Sequence, residues 1–222
     1  MTIDLRYEKK FLIHKSFEET KSILQLLPLA LREEFPTRQV HNIYFDDLNF
    51  SNIFDNLAGV GERKKIRLRW YTPQEKTAYL EIKCKTGLLG SKSRFVVGDH
   101  VTSIILKNYF EYNSFLQHCD YQVRSLLSSL APVLRIHYQR HYWASTLDNI
   151  RLTIDHHLAC SNIMFRPYDE FDKISTETAN EFCVMEVKYP QGLETQGADF
   201  LQSIPFFQSK FSKYIHGFLQ YY

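Results

Sequence analysis

Positively charged side chains recur at every second position in one segment of this chain. Residues 64–71 alternate Lys65, Arg67 and Arg69 with apolar side chains. Because successive side chains of a β-strand point to opposite faces, these three cations would share one face of a strand. Arg offers several planar donors and Lys a mobile point charge, and both kinds of group bind phosphate. The spacing therefore predicts a surface that binds a polyanion.

The same alternation recurs in four other segments. It puts on one face, in turn, Arg6, Glu8 and Lys10; Tyr79, Glu81, Lys83 and Lys85; Arg151, Thr153 and Asp155; and Glu186 and Lys188. The glutamates among them cannot face phosphate directly, whereas a hard divalent cation with oxygen ligands would bridge carboxylate to phosphate. Glu8, Glu81 and Glu186 are therefore candidate metal ligands.

An ordinary antiparallel sheet with its charged side in water explains the same alternation. An exposed sheet face, however, usually mixes in Ser, Thr, Asn and Gln, whereas here Arg-x-Arg and Glu-x-Lys repeat on separate segments. If the sheet closes on itself, these rows meet inside it. A bound polyanion would then relieve the repulsion between them.

The charge of the chain is balanced overall and uneven locally. The 222 residues include 27 Lys and Arg and 25 Asp and Glu, for a net charge of +2. The segment 61–94 holds ten basic and three acidic residues, which leaves 17 basic and 22 acidic residues elsewhere. A local basic block favours an anionic ligand at one place and argues against a nucleic-acid partner, which calls for a uniformly basic surface.

The length and composition predict one globular domain over residues 1–222. Apolar residues make up 44% of the sequence, and no stretch reaches the roughly 20 apolar residues that span a bilayer. The N-terminus shows no apolar signal core. Cys84, Cys119, Cys160 and Cys183 are scattered, without a Cys-x-x-Cys pair. This favours free thiols and a cytoplasmic location.

Eight segments read as strands by alternation and composition, and they follow one another with helices inserted between some of them. That order favours an antiparallel α+β arrangement. The predicted strands are 3–13, 40–46, 64–71, 78–85, 92–97, 132–142, 150–156 and 182–189. The capping box Ser16–Glu19 predicts a helix that runs to about Glu33. Further helices are predicted near 47–57, 101–108, 113–129 and 195–220.

An ordered set of short motifs resembles the triphosphate tunnel metalloenzymes, and within them the domain of the vacuolar transporter chaperone (VTC) polyphosphate polymerases. The resemblance runs from Arg6 to Gly217. Its motifs are Arg6-x-Glu8-x-Lys10, Ile43-Tyr44-Phe45-Asp46, Ile66-Arg67-Leu68-Arg69-Trp70-Tyr71, Leu80-Glu81-Ile82-Lys83, Lys92-Ser93-Arg94-Phe95, Pro132-Val133-Leu134-Arg135, Tyr138-Gln139-Arg140, Arg151-Leu152-Thr153-Ile154-Asp155, Met185-Glu186-Val187-Lys188 and Ser212-Lys213-Tyr214-Ile215-His216-Gly217. The Ile-Arg-x-Arg-Trp-Tyr and Ser-Lys-Tyr-Ile-His-Gly strings favour the VTC branch.

The resemblance implies a closed eight-stranded antiparallel β-tunnel with peripheral helices. It implies that ATP supplies its γ-phosphate to a growing polyphosphate chain, with Mn²⁺ or Mg²⁺ as cofactor and Glu186 as the metal carboxylate. The implied contacts to triphosphate are Lys10, Arg67, Arg69, Lys83, Lys92, Arg140, Arg151 and Lys213, of which Lys10, Arg67, Arg69 and Lys213 are the candidate catalytic residues. Positioning and charge supply most of the catalysis in such a transfer.

Two other functions fit the same residues. A tripolyphosphate or nucleoside triphosphate hydrolase would use an activated water, which a second carboxylate beside Glu186 would favour; Glu8 and Glu81 are the candidates. A non-catalytic module that binds polyphosphate or an inositol phosphate would use the same cations, and it could lack Glu186, which this chain has. The wider superfamily often has Glu-x-Glu-x-Lys on its first strand, whereas this chain has Arg6 at the first position. That departure removes one metal carboxylate and favours the polymerase branch.

Overall fold

A computed structural model describes residues 6–72, 77–87, 89–97, 115–146, 149–164 and 182–221. All eight predicted strands are present, and most are longer than the alternation alone indicates. They are β1 (Arg6–Ile13), β2 (Leu31–Asp46), β3 (Glu62–Thr72), β4 (Ala78–Thr86), β5 (Leu89–Val97), β6 (Ala131–Ser145), β7 (Arg151–Asn162) and β8 (Cys183–Pro190). Gly87, at φ 59°, supports the turn between β4 and β5.

The first helix begins where the sequence predicts and ends earlier. Helix α1 (Phe17–Gln25) opens with the capping box, in which the Ser16 side chain accepts from the Glu19 amide and the Glu19 carboxylate accepts from the Ser16 amide. The prediction that it reaches Glu33 is wrong, because β2 already begins at Leu31. Pro28 cannot continue a helix and also disfavours helical backbone at the residue before it.

The other helices are α2 (Ser51–Ala58), α3 (Tyr121–Leu127), α4 (Glu194–Gln202) and α5 (Lys213–Leu219). The single helix predicted over 195–220 is therefore two helices, with Pro205 in the non-helical segment between them. The helix predicted over 101–108, and residues 113–114 of the next one, lie outside the described residues. No helix in the described ranges is both long enough and apolar enough to cross a membrane.

The eight strands form one sheet, in the order β1-β8-β7-β6-β2-β3-β4-β5. The pairs with a recorded register are antiparallel: β1 with β8, β7 with β8, β2 with β3, β3 with β4 and β4 with β5. This confirms the predicted α+β class. The sheet order starts at β1 and finishes at β5, and the described residues show no pairing that joins these two strands.

The chain divides into two compact units, each with its own apolar core. The first unit takes the described residues of 6–38, 138–158 and 182–211, and the second takes those of 39–137, 159–164 and 212–221. In the first, Phe11, Leu152 and Met185 pack with α1 and α4. In the second, Leu68 and Leu80 pack with α3. In both units the apolar side chains come from alternate strand positions, as the sequence predicts.

Candidate functional site

In the second unit, β3, β4 and β5 carry a face of aligned cations, here called the cationic face. Residues directly opposite each other on paired strands share a face. The cross-strand rows are Arg63–Lys85, Lys65–Lys83–Lys92, Arg67–Glu81–Arg94 and Arg69–Tyr79–Val96. These rows hold eight cations and one carboxylate. Like charges directly opposite are destabilising, so the three-lysine row Lys65–Lys83–Lys92 has a cost that an anion would remove.

Glu81 is the carboxylate at the centre of the cationic face. Its side chain is only 2% exposed. Its Oε2 accepts from Nε and Nη2 of Arg67 at 3.0 and 2.7 Å, and its Oε1 accepts from Nζ of Lys92 at 2.5 Å. Arg69 and Arg94 approach the same carboxylate at 4.0 and 3.9 Å. Both oxygens of Glu81 are thus engaged by cations, which suits an internal counter-ion better than a metal ligand.

The electrostatics of Glu81 agree with this role. Burial alone would raise the pKa of its carboxyl, but Arg67, Arg69 and Lys92 outweigh burial and hold the pKa far below its ordinary value. Burial also lowers the pKa of the Lys92 ammonium, with only partial compensation from Glu81. A group of cations partly withdrawn from water in this way would gain from a phosphate ligand.

Polar side chains from β2 and β4 orient the arginines of the cationic face. Asn42 Oδ1 accepts from Nε of Arg69 at 2.8 Å, and the Tyr44 hydroxyl accepts from Nη1 of Arg67 at 3.2 Å. The Arg94 guanidinium lies 3.4 Å from the centroid of the Tyr79 ring, which is stacking distance. The sequence analysis gave none of the three a role: it did not name Asn42, it quoted Tyr44 only as a motif member, and it placed Tyr79 on the charged face of its segment.

Helix α5 is anchored in the second unit by a buried hydrogen bond. The Tyr214 hydroxyl donates to Oδ2 of Asp46 at 2.7 Å, and the Tyr214 ring stacks on Tyr44 at 4.5 Å. The same Asp46 carboxylate accepts from the amides of Asn52 and Ile53 at the start of α2. Asp46 is fully buried. The sequence analysis quoted both residues only as motif members and assigned neither a role.

Two further contacts position α5, whose first residue is the candidate residue Lys213. Ser212 is the N-cap residue, and its hydroxyl also accepts from Nζ of Lys65 at 3.0 Å. At Gly217 a Cβ would lie 2.9 Å from a methyl carbon of Leu134 and 3.0 Å from Sγ of Cys160. Because glycine allows this close approach, α5 can pack directly on β6 and β7. Lys213 therefore follows directly after Ser212, the cap residue that Lys65 of the cationic face contacts.

In the first unit, β1, β7 and β8 carry a face of alternating charge, here called the mixed-charge face. Its cross-strand rows are Lys10–Glu186–Thr153 and Glu8–Lys188–Arg151. Nζ of Lys10 lies 3.1 Å from Glu8 and 3.5 Å from Glu186, and Nζ of Lys188 lies 2.8 Å from Glu186. Nζ of Lys188 also lies 3.9 Å from Glu8, so both acids contact both lysines. Two carboxylates therefore converge between two lysines.

Glu186 is ionised in this setting. Burial alone would raise the pKa of its carboxyl, but the neighbouring charges of Lys188, Lys10 and Arg140 hold the pKa well below its ordinary value. Burial alone would lower the pKa of the Lys10 ammonium, but Glu186 and Glu8 outweigh burial and raise it. The negative charges of the two acids are therefore neutralised by Lys10 and Lys188.

The two remaining candidate arginines already have carboxylate partners. Arg140 donates through Nε and Nη2 to the two oxygens of Asp155 at 2.5 and 2.7 Å. The Asp155 side chain is 1% exposed, so this is a buried bidentate pair. Nε of Arg151 lies 3.2 Å from Glu34. A phosphate would have to share or displace these partners, and the assignment of Arg140 and Arg151 as phosphate contacts stays a prediction.

The described residues fit a divalent cation only in part. They contain no group of three or more His, Cys, Asp or Glu side chains arranged to hold a metal ion. Glu8 and Glu186 supply two hard oxygen donors. That number suits Mg²⁺ or Mn²⁺ held by one or two carboxylates together with substrate phosphates. The donor set thus fits a metal that arrives with its phosphate ligand.

Comparison with known proteins gives one family match. The family model described as the VTC domain matches residues 5–222 of this chain. No curated protein matches the sequence.

Solved structures share the fold at low sequence identity. A provisionally named adenylate cyclase from Vibrio parahaemolyticus is 11% identical, with a TM-score of 0.56, over 96% of this chain and 98% of that one. Another from Bacillus halodurans is 14% identical, with a TM-score of 0.56, over 94% of each chain. A conserved hypothetical protein from Pyrococcus furiosus is 10% identical, with a TM-score of 0.52, over 94% of this chain and 99% of that one. At such identities the likeness concerns the fold alone.

Proposed function

Because this chain belongs to the VTC domain family, we propose that it is a metal-dependent phosphoryl transferase that makes polyphosphate from the γ-phosphate of ATP. The observation that carries the proposal is the cationic face, where eight cations from three paired strands share one face with the carboxylate of Glu81, and four of them approach that carboxylate within 4.0 Å. The substrate class is a triphosphate or polyphosphate. The proposal includes closure of the eight-stranded sheet into a tunnel around the phosphate chain, and a cytoplasmic location.

The row Lys65–Lys83–Lys92 supports a chain of phosphates rather than a single anion. The three lysines come from three adjacent strands, and neighbouring strands lie about 4.8 Å apart. Arg67 and Arg69 extend the same face by two more rows along β3. A linear polyphosphate presents one or more charges at each phosphorus, so a grid of cations with similar spacing contacts several phosphates at once. Graded contacts of this kind also allow a product chain to slide.

The mixed-charge face supplies the residues for a metal. Glu8 and Glu186 would hold Mn²⁺ or Mg²⁺, and Lys10, which contacts both carboxylates, is a candidate contact for the phosphate. A bound divalent ion neutralises charge on the phosphate oxygens during transfer. The protein's own contribution is to hold the phosphates in line with an acceptor and to limit water there. Lys213, at the start of α5, is a further candidate contact.

A tripolyphosphate hydrolase is the second candidate, and one contact favours it. Glu8 and Glu186 contact the same lysine, Lys10, so a second carboxylate lies near Glu186 and could accept a proton from water. In the present arrangement Lys10 and Lys188 lie against Glu8 at 3.1 and 3.9 Å. Both ammonium groups contact the Glu8 oxygens that would have to receive the proton, which opposes the action of Glu8 as a base. This balance keeps the polymerase as the leading proposal.

One reaction separates the candidates. Purified protein is incubated with ATP and Mn²⁺, and long chains, ADP and free phosphate are followed with time. The polymerase gives a ladder of chains and much less free phosphate than ADP. Free phosphate equal to ADP from the first time points, with no chains, identifies the hydrolase. Tight tripolyphosphate binding without any ADP leaves only a polyphosphate-binding module.

A further inference from the structure

Two histidines of the first unit face each other through their Nε2 atoms. His141 on β6 and His156 on β7 lie on strands that are neighbours in the sheet. Their Nε2 atoms are 3.1 Å apart. Neither residue belongs to the mixed-charge face as defined above, and neither has a part in the proposed phosphate chemistry. The pair therefore calls for its own explanation.

A hydroxyl orients the first of these rings. Thr37 Oγ1 lies 2.9 Å from Nδ1 of His141. If Nδ1 carries the proton and donates to Thr37, Nε2 of His141 keeps its lone pair and accepts a hydrogen bond from Nε2–H of His156. Histidines that bind metals usually donate the other ring N–H to an oxygen acceptor, which fixes the tautomer and the ring orientation. With Nδ1 of His141 as the donor, the contact between Thr37 and His141 has this form.

An aromatic side chain holds both rings in place. The Phe17 ring, at the start of α1, stacks on His141 at 4.0 Å and on His156 at 4.3 Å, with interplanar angles of 20° and 10°. His156 is only 6% exposed. Burial lowers the pKa of His156 to about 4 and also lowers the pKa of His141. Both imidazoles are therefore neutral near pH 7, which is the form that coordinates metals.

We propose that His141 and His156 form a binding site for a divalent transition-metal ion that prefers imidazole, with Zn²⁺ as the representative ion. With Zn–N bonds of about 2.0–2.1 Å, the separation of 3.1 Å gives an N–Zn–N angle of about 98°. That angle is close to tetrahedral, so the two Nε2 atoms already lie at a separation that one Zn²⁺ can bridge. His156 would shift its proton from Nε2 to Nδ1, so that both lone pairs face the ion without net loss of a proton.

The remaining coordination positions fall to water, since no third ligand completes the set among the described residues. Nearby charges act in both directions: Glu18, Glu33 and Asp155 favour a cation beside His141, and Lys21 opposes it. Mg²⁺ and Mn²⁺ prefer oxygen ligands, so this site is chemically distinct from the pair Glu8 and Glu186. A bound ion would tie β6 to β7 beneath Phe17.

The test is Zn²⁺ binding to the full chain after treatment with a chelator. Calorimetry on the wild type is expected to show a bound ion, with a matching rise in Tm. His141→Asn and His156→Asn should each weaken binding at least tenfold, because each removes one of the two protein ligands. Thr37→Val keeps both histidines and should weaken binding by about 10–100-fold, the usual effect of losing such a supporting contact. The matched control is His157→Asn, which changes the exposed neighbour and should bind as the wild type does.

A second measurement covers the case in which a histidine variant fails to fold. In the wild type labelled with ¹⁵N-histidine, Zn²⁺ should shift the Nε2 resonances of two histidines and leave the others in place. The proposal is overturned if Zn²⁺ neither binds nor raises Tm, if the folded His141→Asn and His156→Asn variants bind with wild-type affinity, or if His157→Asn loses as much affinity as they do. Shifts at histidines other than this pair also overturn it.

Discussion

Arg67 donates two hydrogen bonds to one oxygen of Glu81, through Nε at 3.0 Å and Nη2 at 2.7 Å. Lys92 takes the other oxygen at 2.5 Å. These are the donors that a phosphate oxygen would use on the cationic face. The Glu81 carboxylate thus acts as an internal anion, which stabilises the cations without ligand and competes with a ligand for them.

The first prediction is that Glu81→Gln binds tripolyphosphate more tightly than the wild type. The change removes a competing negative charge, and an effect of about 1 kcal/mol, roughly fivefold in Kd, is expected at low salt. Without ligand the variant should have a lower Tm, since eight cations then lack their only carboxylate on that face, and tripolyphosphate should restore it. Calorimetry with a chelator present measures the affinity without metal.

The control for Glu81→Gln is Glu62→Gln. Glu62 lies on β3 at a position that alternates with Arg63 and Lys65. Glu62→Gln therefore removes one negative charge from the face opposite to the cationic face. It should leave the affinity unchanged. If Glu81 were a metal ligand instead, Glu81→Gln would leave metal-free binding unaltered and reduce only the metal-dependent activity.

The second prediction concerns the arginines of β3. Arg67→Ala or Arg69→Ala should weaken tripolyphosphate binding by about 1.5–3 kcal/mol, the scale of a hydrogen bond to a charged group. Lys64→Ala is the matched control. Lys64 is an exposed cation of the same strand, but its side chain lies on the face opposite to Arg67 and Arg69. Titration calorimetry that finds unchanged affinity in both arginine variants would contradict the assignment of this face to phosphate.

The third prediction concerns the metal. Glu186→Gln keeps the size of the side chain and removes the charge that a hard cation needs. We expect activity with ATP to fall strongly at every Mn²⁺ concentration, while tripolyphosphate binding in chelator changes little. Glu8→Gln should give a smaller loss, since its side chain is 34% exposed against 13% for Glu186. Wild-type turnover by Glu186→Gln across a Mn²⁺ titration would exclude it as the ligand.

The strand faces were predictable from the sequence because the side-chain period of a strand is fixed by its geometry. Lys65, Arg67 and Arg69 need no partner strand to be assigned to one face. The contacts across that face were not predictable, since they depend on register. Glu81 meets Arg67 and Lys92 only because the two hairpins of β3, β4 and β5 bring these residues opposite or diagonal to one another. A shift of one residue would have removed Glu81 from the face.

Contacts between distant segments were beyond the sequence pattern. Asp46 and Tyr214 are 168 residues apart, and neither position breaks the periodicity around it. His141 and His156 likewise meet only because β6 and β7 are neighbours in the sheet, so the sequence pattern does not bring them together. The end of α1 was missed for a local reason, because the apolar residues around Pro28 continue the helical pattern past the proline.

The fourth prediction is a loss of stability in mild acid. Burial is the main cause that lowers the pKa of both His41 and His156 from 6.5 to about 4. Since the folded pKa lies below the unfolded value, this stability is fully present above pH 6.5 and is lost as pH falls toward 4. Each histidine accounts for up to about 3 kcal/mol over that range. Urea unfolding in chelator at pH 7 and pH 5 should show the decline, which is separated from carboxyl titration because Glu81 and Glu186 are charged at both values.

The histidine variants identify the source of this decline. His156→Gln should flatten the dependence of the unfolding free energy on pH, because the variant has no imidazole to protonate in the unfolded chain. His41→Gln should flatten it by a similar amount, and the two effects should add, since the residues lie in different units. A pH dependence that is as steep in both variants as in the wild type would contradict the assignment.

The fifth prediction is that Tyr214→Phe destabilises the chain by about 1.5–3 kcal/mol, the value of a hydrogen bond to a charged group. The hydroxyl is the only part removed, so the stacking on Tyr44 is kept, and Asp46 loses one donor in a fully buried site. Burial, followed by Asp46, raises the pKa of Tyr214, so the hydroxyl remains a donor across the working range of pH. Urea unfolding measures the loss, and Tyr121→Phe, at an 82% exposed tyrosine, is the control.

Because α5 carries Lys213, a folded Tyr214→Phe protein should also bind tripolyphosphate less tightly. Equal stability of Tyr214→Phe and the wild type would mean that apolar packing around Gly217 and Phe218 alone holds α5.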